Sequence, residues 1–290
     1  MHVVHNLETS VIEIKKLDFK YRNASQLLFQ NLNLELTPGH IYGLLGKNGA
    51  GKTSLLHILT GLSFPKAGEH LVLGYIPKQR CPQFLAQVYF LAEELPSPTV
   101  TIKKYLADYA AFYPQFNAEL FDHNLKAFEI NDKTVIAKLS YGQKKKFFIA
   151  FALATQTKLL ILDEPTNGLD IPSKAIFRQL LAANATEDKL IIVSTHQVYD
   201  VENLIDSVIL LDEGKIICNT SIECIAEKLK FSIETQLSDS QEYYYSEQTL
   251  NGFATVSENK YNESSFINLE LFFNAVLSSK LNMQKIFLEN

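Results

Sequence analysis

Residues 46–53 read Gly-Lys-Asn-Gly-Ala-Gly-Lys-Thr, in which four residues separate two glycines and Lys-Thr follows the second. The apolar run 40–45 leads in as a buried strand, and residues 54–59, Ser-Leu-Leu-His-Ile-Leu, continue as a helix. Strand, glycine loop and helix in this order make a phosphate cradle. The glycines let successive N–H groups turn toward an anion at the positive end of the helix, Lys52 adds a full charge, and Thr53 brings a hydroxyl suited to Mg²⁺. The phosphate-binding set is therefore Gly46, Lys47, Asn48, Gly49, Ala50, Gly51, Lys52, Thr53 and Ser54. Its ligand is a nucleoside triphosphate, with Mg²⁺ at the Thr53 hydroxyl.

The rest of the chain supplies an α/β frame for this loop. Residues 11–19 and 32–36 alternate apolar and polar as half-buried antiparallel strands do, whereas 158–162 and 189–193 lack polar alternation, as strands of a covered parallel sheet do. Between them, Tyr105, Leu106, Tyr109, Phe112, Leu120, Phe121, Leu125 and Phe128 recur at helical spacing and predict an all-helical insert. A strand at 215–218 and a helix starting near Ser221 follow. Beyond about residue 230, strand-like pieces at 231–234, 243–245 and 253–256, with an Asn251-Gly252 turn, predict a small α+β appendage. Its last helix is expected to bury Leu269, Phe272, Phe273, Val276 and Leu277.

Composition excludes several classes. With 290 residues, 47% of them hydrophobic, the chain can bury a substantial core, and a net charge of −5 offers no general basic surface for nucleic acid. Nucleic acid is not an expected partner. Cys81, Cys218 and Cys224 show no metal-ligand spacing and are expected to be packing thiols in a reducing compartment. The start, Met1-His2-Val3-Val4-His5-Asn6, carries no visible export signal. The apolar run 147–154 falls far short of the ~20 residues a membrane-spanning helix needs.

A second site-forming segment is the apolar strand 159–162 ending in Asp163-Glu164. Carboxylates at the carboxyl end of such a strand suit Mg²⁺ binding at Asp163 and orientation of an attacking water at Glu164. Taken with Gly46 to Thr53, Leu139-Ser140-Tyr141-Gly142-Gln143 before this segment and Pro165-Thr166, Gly168-Leu169-Asp170 and Ser194-Thr195-His196 after it occur in the family's order, and residues 10–225 resemble the nucleotide-binding subunit of an ABC transporter. The resemblance is greatest to bacterial exporter-type ATPases.

That resemblance implies a P-loop NTPase core with an antiparallel β subdomain and an α-helical insert, spanning residues 1–229 with the insert at about 95–155, and an extension over 230–290. It implies an ATPase whose catalytic residues are Glu164, His196 and Lys52. Ser140, Gly142 and Gln143 would face the γ-phosphate held by a second copy, with Asp170 at the interface, so the working form would be a head-to-tail homodimer closed by ATP. Tyr21 would stack on adenine, with Phe19 as substitute. Thr53 and Asp163 would hold Mg²⁺ with Glu93, which stands where the family's usual glutamine does, Glu94 being the competing alignment. The signature has Tyr141 where glycine is commonest, and Lys144, Lys145 and Lys146 after it are read as a solvated face. The implied partner is an integral-membrane permease, which would hold the subunit at the cytoplasmic face of the membrane and receive the motion in the helical insert. A soluble ATPase acting on ribosomes or DNA, and a regulatory module that binds ATP without turnover, are the competing readings. The extension would serve as a homodimer contact or a regulatory surface.

Overall fold

The computed structural model describes residues 10–238, 242–261, 263, 266–278 and 286–287. The chain start, on which the export-signal expectation rests, lies outside the described residues.

In chain order the first elements are β1 (Ile12–Phe19), β2 (Phe29–Leu36), β3 (His40–Leu45), α1 (Lys52–Leu59), β4 (Ala67–Val72), α2 (Pro82–Leu85) and β5 (Val88–Leu91). The insert follows as α3 (Ile102–Tyr109), α4 (Ala118–Ala127) and α5 (Tyr141–Ala154). The chain then returns through β6 (Leu159–Asp163), α6 (Ile171–Asn184), β7 (Leu190–Thr195), β8 (Ser207–Asp212), β9 (Lys215–Ser221) and α7 (Ile222–Lys228). It ends in β10 (Leu229–Glu234), β11 (Tyr243–Thr249), β12 (Gly252–Glu258) and α8 (Leu269–Leu277).

These elements build an α/β core, an antiparallel sheet, a helical insert and a small α+β unit, the architecture the sequence predicts. The first sheet has the order β2-β1-β4 and is antiparallel. In β1, buried Ile12 and Ile14 are followed by two outward lysines before buried Leu17 and Phe19, which would break strict alternation. The register shifts there and Lys16 takes φ 50°, so one irregularity keeps both apolar pairs inside.

The central sheet runs β5-β6-β7-β3-β8-β9, parallel except for the β8/β9 pair. Every residue of β6 and β7 is buried, which explains their unbroken apolar sequences. Because β6, β7 and β3 are adjacent and parallel, their carboxyl ends share one edge. Asp163 pairs in register with Ser194, and Leu45 with Thr195. That edge is where ligands bind in open α/β sheets.

The insert is held by aromatics. Tyr105 lies edge-on to Phe147 at 5.4 Å and to Phe151 at 5.3 Å between ring centres. Residues 147–154 are buried throughout, so this apolar run is the inner half of α5. Among the described residues no helix is long and apolar enough to cross a membrane.

The C-terminal sheet, order β10-β12-β11, is covered by α8. Phe231, Val256, Phe272 and Val276 join Val198, Val201, Ile205 and Ile225 in one continuous apolar cluster, so the appendage shares the main core. Leu269 N–H also donates to Glu202 Oε1 at 2.8 Å, tying the start of α8 to the segment after β7. On α8 the buried set is Leu269, Leu271, Phe272, Ala275 and Val276, while Phe273 and Leu277 are half-buried. The face is thus rotated slightly from the predicted stripe, because Leu271 and Ala275 also point inward.

Candidate active site

The loop between β3 and α1 opens onto a cavity of about 390 Å³ lined by Asn48, Gly49, Gly51, Lys52, Thr53 and Ser54 on one side and Glu93, Asp163 and Glu164 on the other. Gly51 precedes the helix with φ 109°, and a Cβ there would lie 2.8 Å from Phe29 Cε1, so both torsion and space exclude a side chain. No side chain caps the N-terminus of α1 and no acid sits in its first turn, which leaves its N–H groups for an anion. Gly46 and Ala50 are buried beneath the loop, while Lys47, Asn48 and Gly49 form its exposed crest.

Lys52 is 8% exposed, and its Nζ donates to Gly46 O at 2.7 Å and to Lys47 O at 3.3 Å, folding the ammonium across the loop. Burial lowers its pKa, and the carboxylates of Glu164, Asp163 and Glu93 oppose that shift. A poorly hydrated ammonium bonded only to neutral carbonyls is prepared to exchange them for phosphate oxygens.

Asp163 ends β6 almost fully buried and its Oδ2 accepts from Thr53 Oγ1 at 2.8 Å. Glu164, at φ 46°, lies in the left-handed region, a conformation that costs a residue with a side chain about 1–3 kcal/mol. The turn directs its carboxylate to the end of β7. There Oε1 accepts from the His196 backbone N–H at 3.0 Å and lies 2.7 Å from His196 Nδ1, and Oε2 accepts from Thr195 Oγ1 at 3.0 Å. With the carboxylate ionised, Nδ1 is the donor.

Glu93 is exposed after β5, and its Oε1 accepts from Asn167 Nδ2 at 3.2 Å. Glu93 lines the cavity; Glu94 is not among its lining residues. The hydroxyl of Thr53 and the carboxylates of Asp163 and Glu93 are hard oxygen donors lining the same cavity, which fits Mg²⁺. The described residues hold no cluster of three or more His, Cys, Asp or Glu able to bind a metal by itself. Mg²⁺ needs no such cage, because it keeps waters and phosphate oxygens in its shell.

Tyr21 lies past the end of β1, 49% exposed, at the rim of the same cavity. Its hydroxyl is 2.7 Å from Ser54 Oγ and its ring meets Phe19 edge-on at 5.1 Å. Phe19 is 4% exposed and packed into the core, so it is not available as the substitute.

Ser140, Gly142 and Gln143 do not line this cavity. Ser140 caps α5, its Oγ accepting from Gln143 N–H while Gln143 Oε1 accepts from Ser140 N–H. A Cβ on Gly142 would come within 2.7 Å of Gly168 O, so the start of α5 sits directly against the Gly168-Leu169-Asp170 segment. Asp170 caps α6 through Ser173 N–H at 2.9 Å and remains exposed. Its carboxyl pKa is lowered, chiefly by the hydrogen bond with the Ser173 side chain. Tyr141 points toward residue 93, its hydroxyl donating to Glu93 O at 3.2 Å.

The lysine run does not form a solvated face. Lys144 bonds Ser97 Oγ at 2.8 Å, Lys146 lies 3.9 Å from Asp170 Oδ2, and Lys145 is fully buried with Nζ donating to Glu164 O at 3.1 Å. A helix lays residues three and four apart on one face, and Lys145 is followed at those intervals by buried Phe148 and Ile149. That periodicity was the available signal. Thr195, named in the sequence only as part of a motif, and Asn167 also enter the site, in roles that depend on strands and loops meeting in space.

A larger cavity, about 570 Å³, lies on the C-terminal unit between Phe231, Ile233, Leu250 and Phe266. It is mainly apolar and lacks the convergent charges found at the phosphate loop, so chemistry and not volume identifies the site. Cys81, Cys218 and Cys224 are free thiols. Burial, with a smaller contribution from Cys224, pushes the Cys218 thiol up to about 12.

Residues 29–167 match the family model described as ABC transporter. The chain is 32% identical over 231 residues to the bacitracin transport ATP-binding protein BcrA of Bacillus licheniformis, covering 78% of this chain and 75% of the relative. It is 30% identical over 234 residues to the SkfA peptide export ATP-binding protein SkfE of Bacillus subtilis (strain 168), covering 77% of this chain and 95% of the relative. Among solved structures, an ATP-binding subunit of an ABC transporter superposes with a TM-score of 0.67 at 23% identity, covering 74% of this chain and 91% of the other, which shows the shared fold.

Proposed function

The chain belongs to the ABC transporter family as an ATP-binding subunit, and from that premise we propose how its residues divide the work of an ATPase that drives a separate membrane permease. Residues 46–54 and Lys52 hold the phosphates of ATP, and the Tyr21 ring stacks on adenine. Thr53, Asp163 and Glu93 hold Mg²⁺, which when bound offsets charge on the phosphate oxygens. Glu164 orients the attacking water and accepts its proton, while His196 steadies that carboxylate and contacts the γ-phosphate.

One observation carries the reading of a shared site. Lys52, Asp163 and Glu164 line one cavity, whereas Ser140, Gly142 and Gln143 lie outside it at the start of another helix. The chain thus holds both halves of a site apart, and two copies arranged head to tail would bring them together, with Asp170 at the seam. ATP would then bind the copies to each other, and hydrolysis would release them. The division into an ATPase domain over 1–229 and an extension over 230–290 belongs to the same reading.

Export is the direction favoured by similarity to a protein named for SkfA peptide export. The subunit would act at the cytoplasmic face of a membrane, held there by the permease; no helix among the described residues would span the bilayer itself.

The shared site is tested by mixing two variants, Lys52→Ala and Ser140→Arg, each expected to be inactive alone. A mixed dimer contains one site with both an intact Lys52 and an intact Ser140, so mixing restores phosphate release. A mixture no more active than its components refutes the shared site. Purification from membranes should also recover a multi-span protein with the subunit, and recovery with ribosomes instead would refute the permease partnership.

A further inference from the structure

Lys145 stands one turn after Tyr141 on α5 with none of its surface exposed. Taking an ammonium out of water costs several kcal/mol unless other groups replace the lost hydration. An apolar side chain beside Phe147 and Phe148 would fill the same space without that cost. The replacements for water here are particular. Nζ donates to Glu164 O at 3.1 Å and, over a longer 3.4 Å, to Glu93 O, with the Tyr141 ring centre 5.7 Å away.

These are backbone carbonyls of two acids that line the cavity. Glu164 is also the residue in the left-handed conformation, and such strain persists only where surrounding bonds fix it. Its N–H donates to Ser194 O at 2.9 Å, and its carbonyl is held by Lys145 and by the Asn167 N–H at 3.3 Å. The Tyr141 hydroxyl meets the other carbonyl, that of Glu93. The first turns of α5, which begin at Ser140, are therefore bonded to both acidic segments.

We propose that Lys145 is a positioning residue for ATP hydrolysis: its ammonium fixes the Glu164 turn that aims the carboxylate and couples that turn to Glu93 and to the helix carrying Ser140. The inference rests on reading Glu164 as the group that orients the water. Lys145 does not line the nucleotide cavity, so its removal acts through Glu164 and not through the affinity for ATP.

The test measures steady-state phosphate release, ATP affinity and melting temperature for wild type, Lys145→Met, Lys145→Arg and Glu164→Gln. Lys145→Met should lower kcat by at least about tenfold, within the roughly hundredfold that misplacement of a reacting group by about 1 Å can cost, with KM for ATP near the wild-type value. Its melting temperature should stay level or rise, because the desolvated charge is gone. Lys145→Arg keeps a cationic donor and should recover part of kcat. Unchanged kcat in Lys145→Met overturns the inference, as does a loss of kcat that only tracks a falling melting temperature. If Lys145→Met fails to fold, Lys145→Gln is measured by the same criteria. Failure of the underlying reading shows separately, as full turnover in Glu164→Gln.

Discussion

Glu164→Gln removes the basic group of this site while keeping the size and shape of the side chain. In the folded protein the carboxylate accepts from the His196 backbone, His196 Nδ1 and Thr195 Oγ1. A glutamine with its carbonyl at the Oε1 position still accepts both His196 bonds. Its NH₂ then faces Thr195 Oγ1, which already accepts from Gln197 N–H at 2.9 Å and has a second lone pair to accept from the amide. The buried Thr195 hydroxyl, whose proton went to Oε2, then loses that acceptor, so the structural cost is about 1–3 kcal/mol. The chemical loss is larger. A general base contributes about 10²–10⁴ in rate, which at about 1.4 kcal/mol per tenfold is about 3–6 kcal/mol of barrier. Phosphate release should therefore fall by at least about a hundredfold, while ATP binding stays near wild type and the melting temperature falls only as far as the lost Thr195 bond requires. The assays are coupled phosphate release, a fluorescent-nucleotide titration and thermal unfolding. Turnover within tenfold of wild type in the folded variant would show that Glu164 is not the base.

Three further outcomes follow from the same geometry. Tyr21→Ala should weaken ATP binding by about 1 kcal/mol through loss of ring stacking, whereas Tyr21→Phe, which loses only the bond to Ser54, should bind nearly as wild type; equal affinity in all three proteins removes Tyr21 from the site. Asn124 on α4 is fully buried with neither amide atom partnered among the described residues, so Asn124→Leu should raise stability by about 1–3 kcal/mol in urea unfolding. A lower midpoint would show that the amide has a partner. Cys218 has its folded pKa raised from 9.0 to about 12, so its protonated form belongs to the folded state; its contribution is complete below pH about 9 and is lost as pH rises toward about 12. Thiol reagents at pH 8 should leave Cys218 unmodified until the protein is unfolded, and Cys218→Ala should flatten the alkaline limb of the stability curve.

How far the sequence reaches is clearest at the loop. The glycine, lysine and threonine spacing at 46–53, with a strand before and a helix after, is local and periodic, so it could be read without knowing what lies nearby. The unbroken apolar runs of β6 and β7 likewise announced strands covered on both faces. The lysines at 144–146 show where such reading stops. Composition suggested a wetted face, but which side of α5 is wet depends on where β6 and the segment after β5 lie, and they close over Lys145. Phe19 stood as the substitute for Tyr21 until the register of β1 turned its ring into the core and left Tyr21 at the cavity rim.

By itself the sequence determined the order of the motifs, the α/β alternation and the presence of a phosphate cradle, because these depend on neighbours a few residues apart. Only the tertiary structure decided that Thr53 meets Asp163, that Glu164 bonds His196, and that Lys145 reaches both acidic segments. These pairs are separated by 110, 32, 52 and 19 residues along the chain. The parallel pairing of β6, β7 and β3 brings the first two together, and the packing of α5 beside that edge creates the third and fourth. Strand register and helix azimuth are set by how distant apolar surfaces bury one another, and no local spacing encodes them.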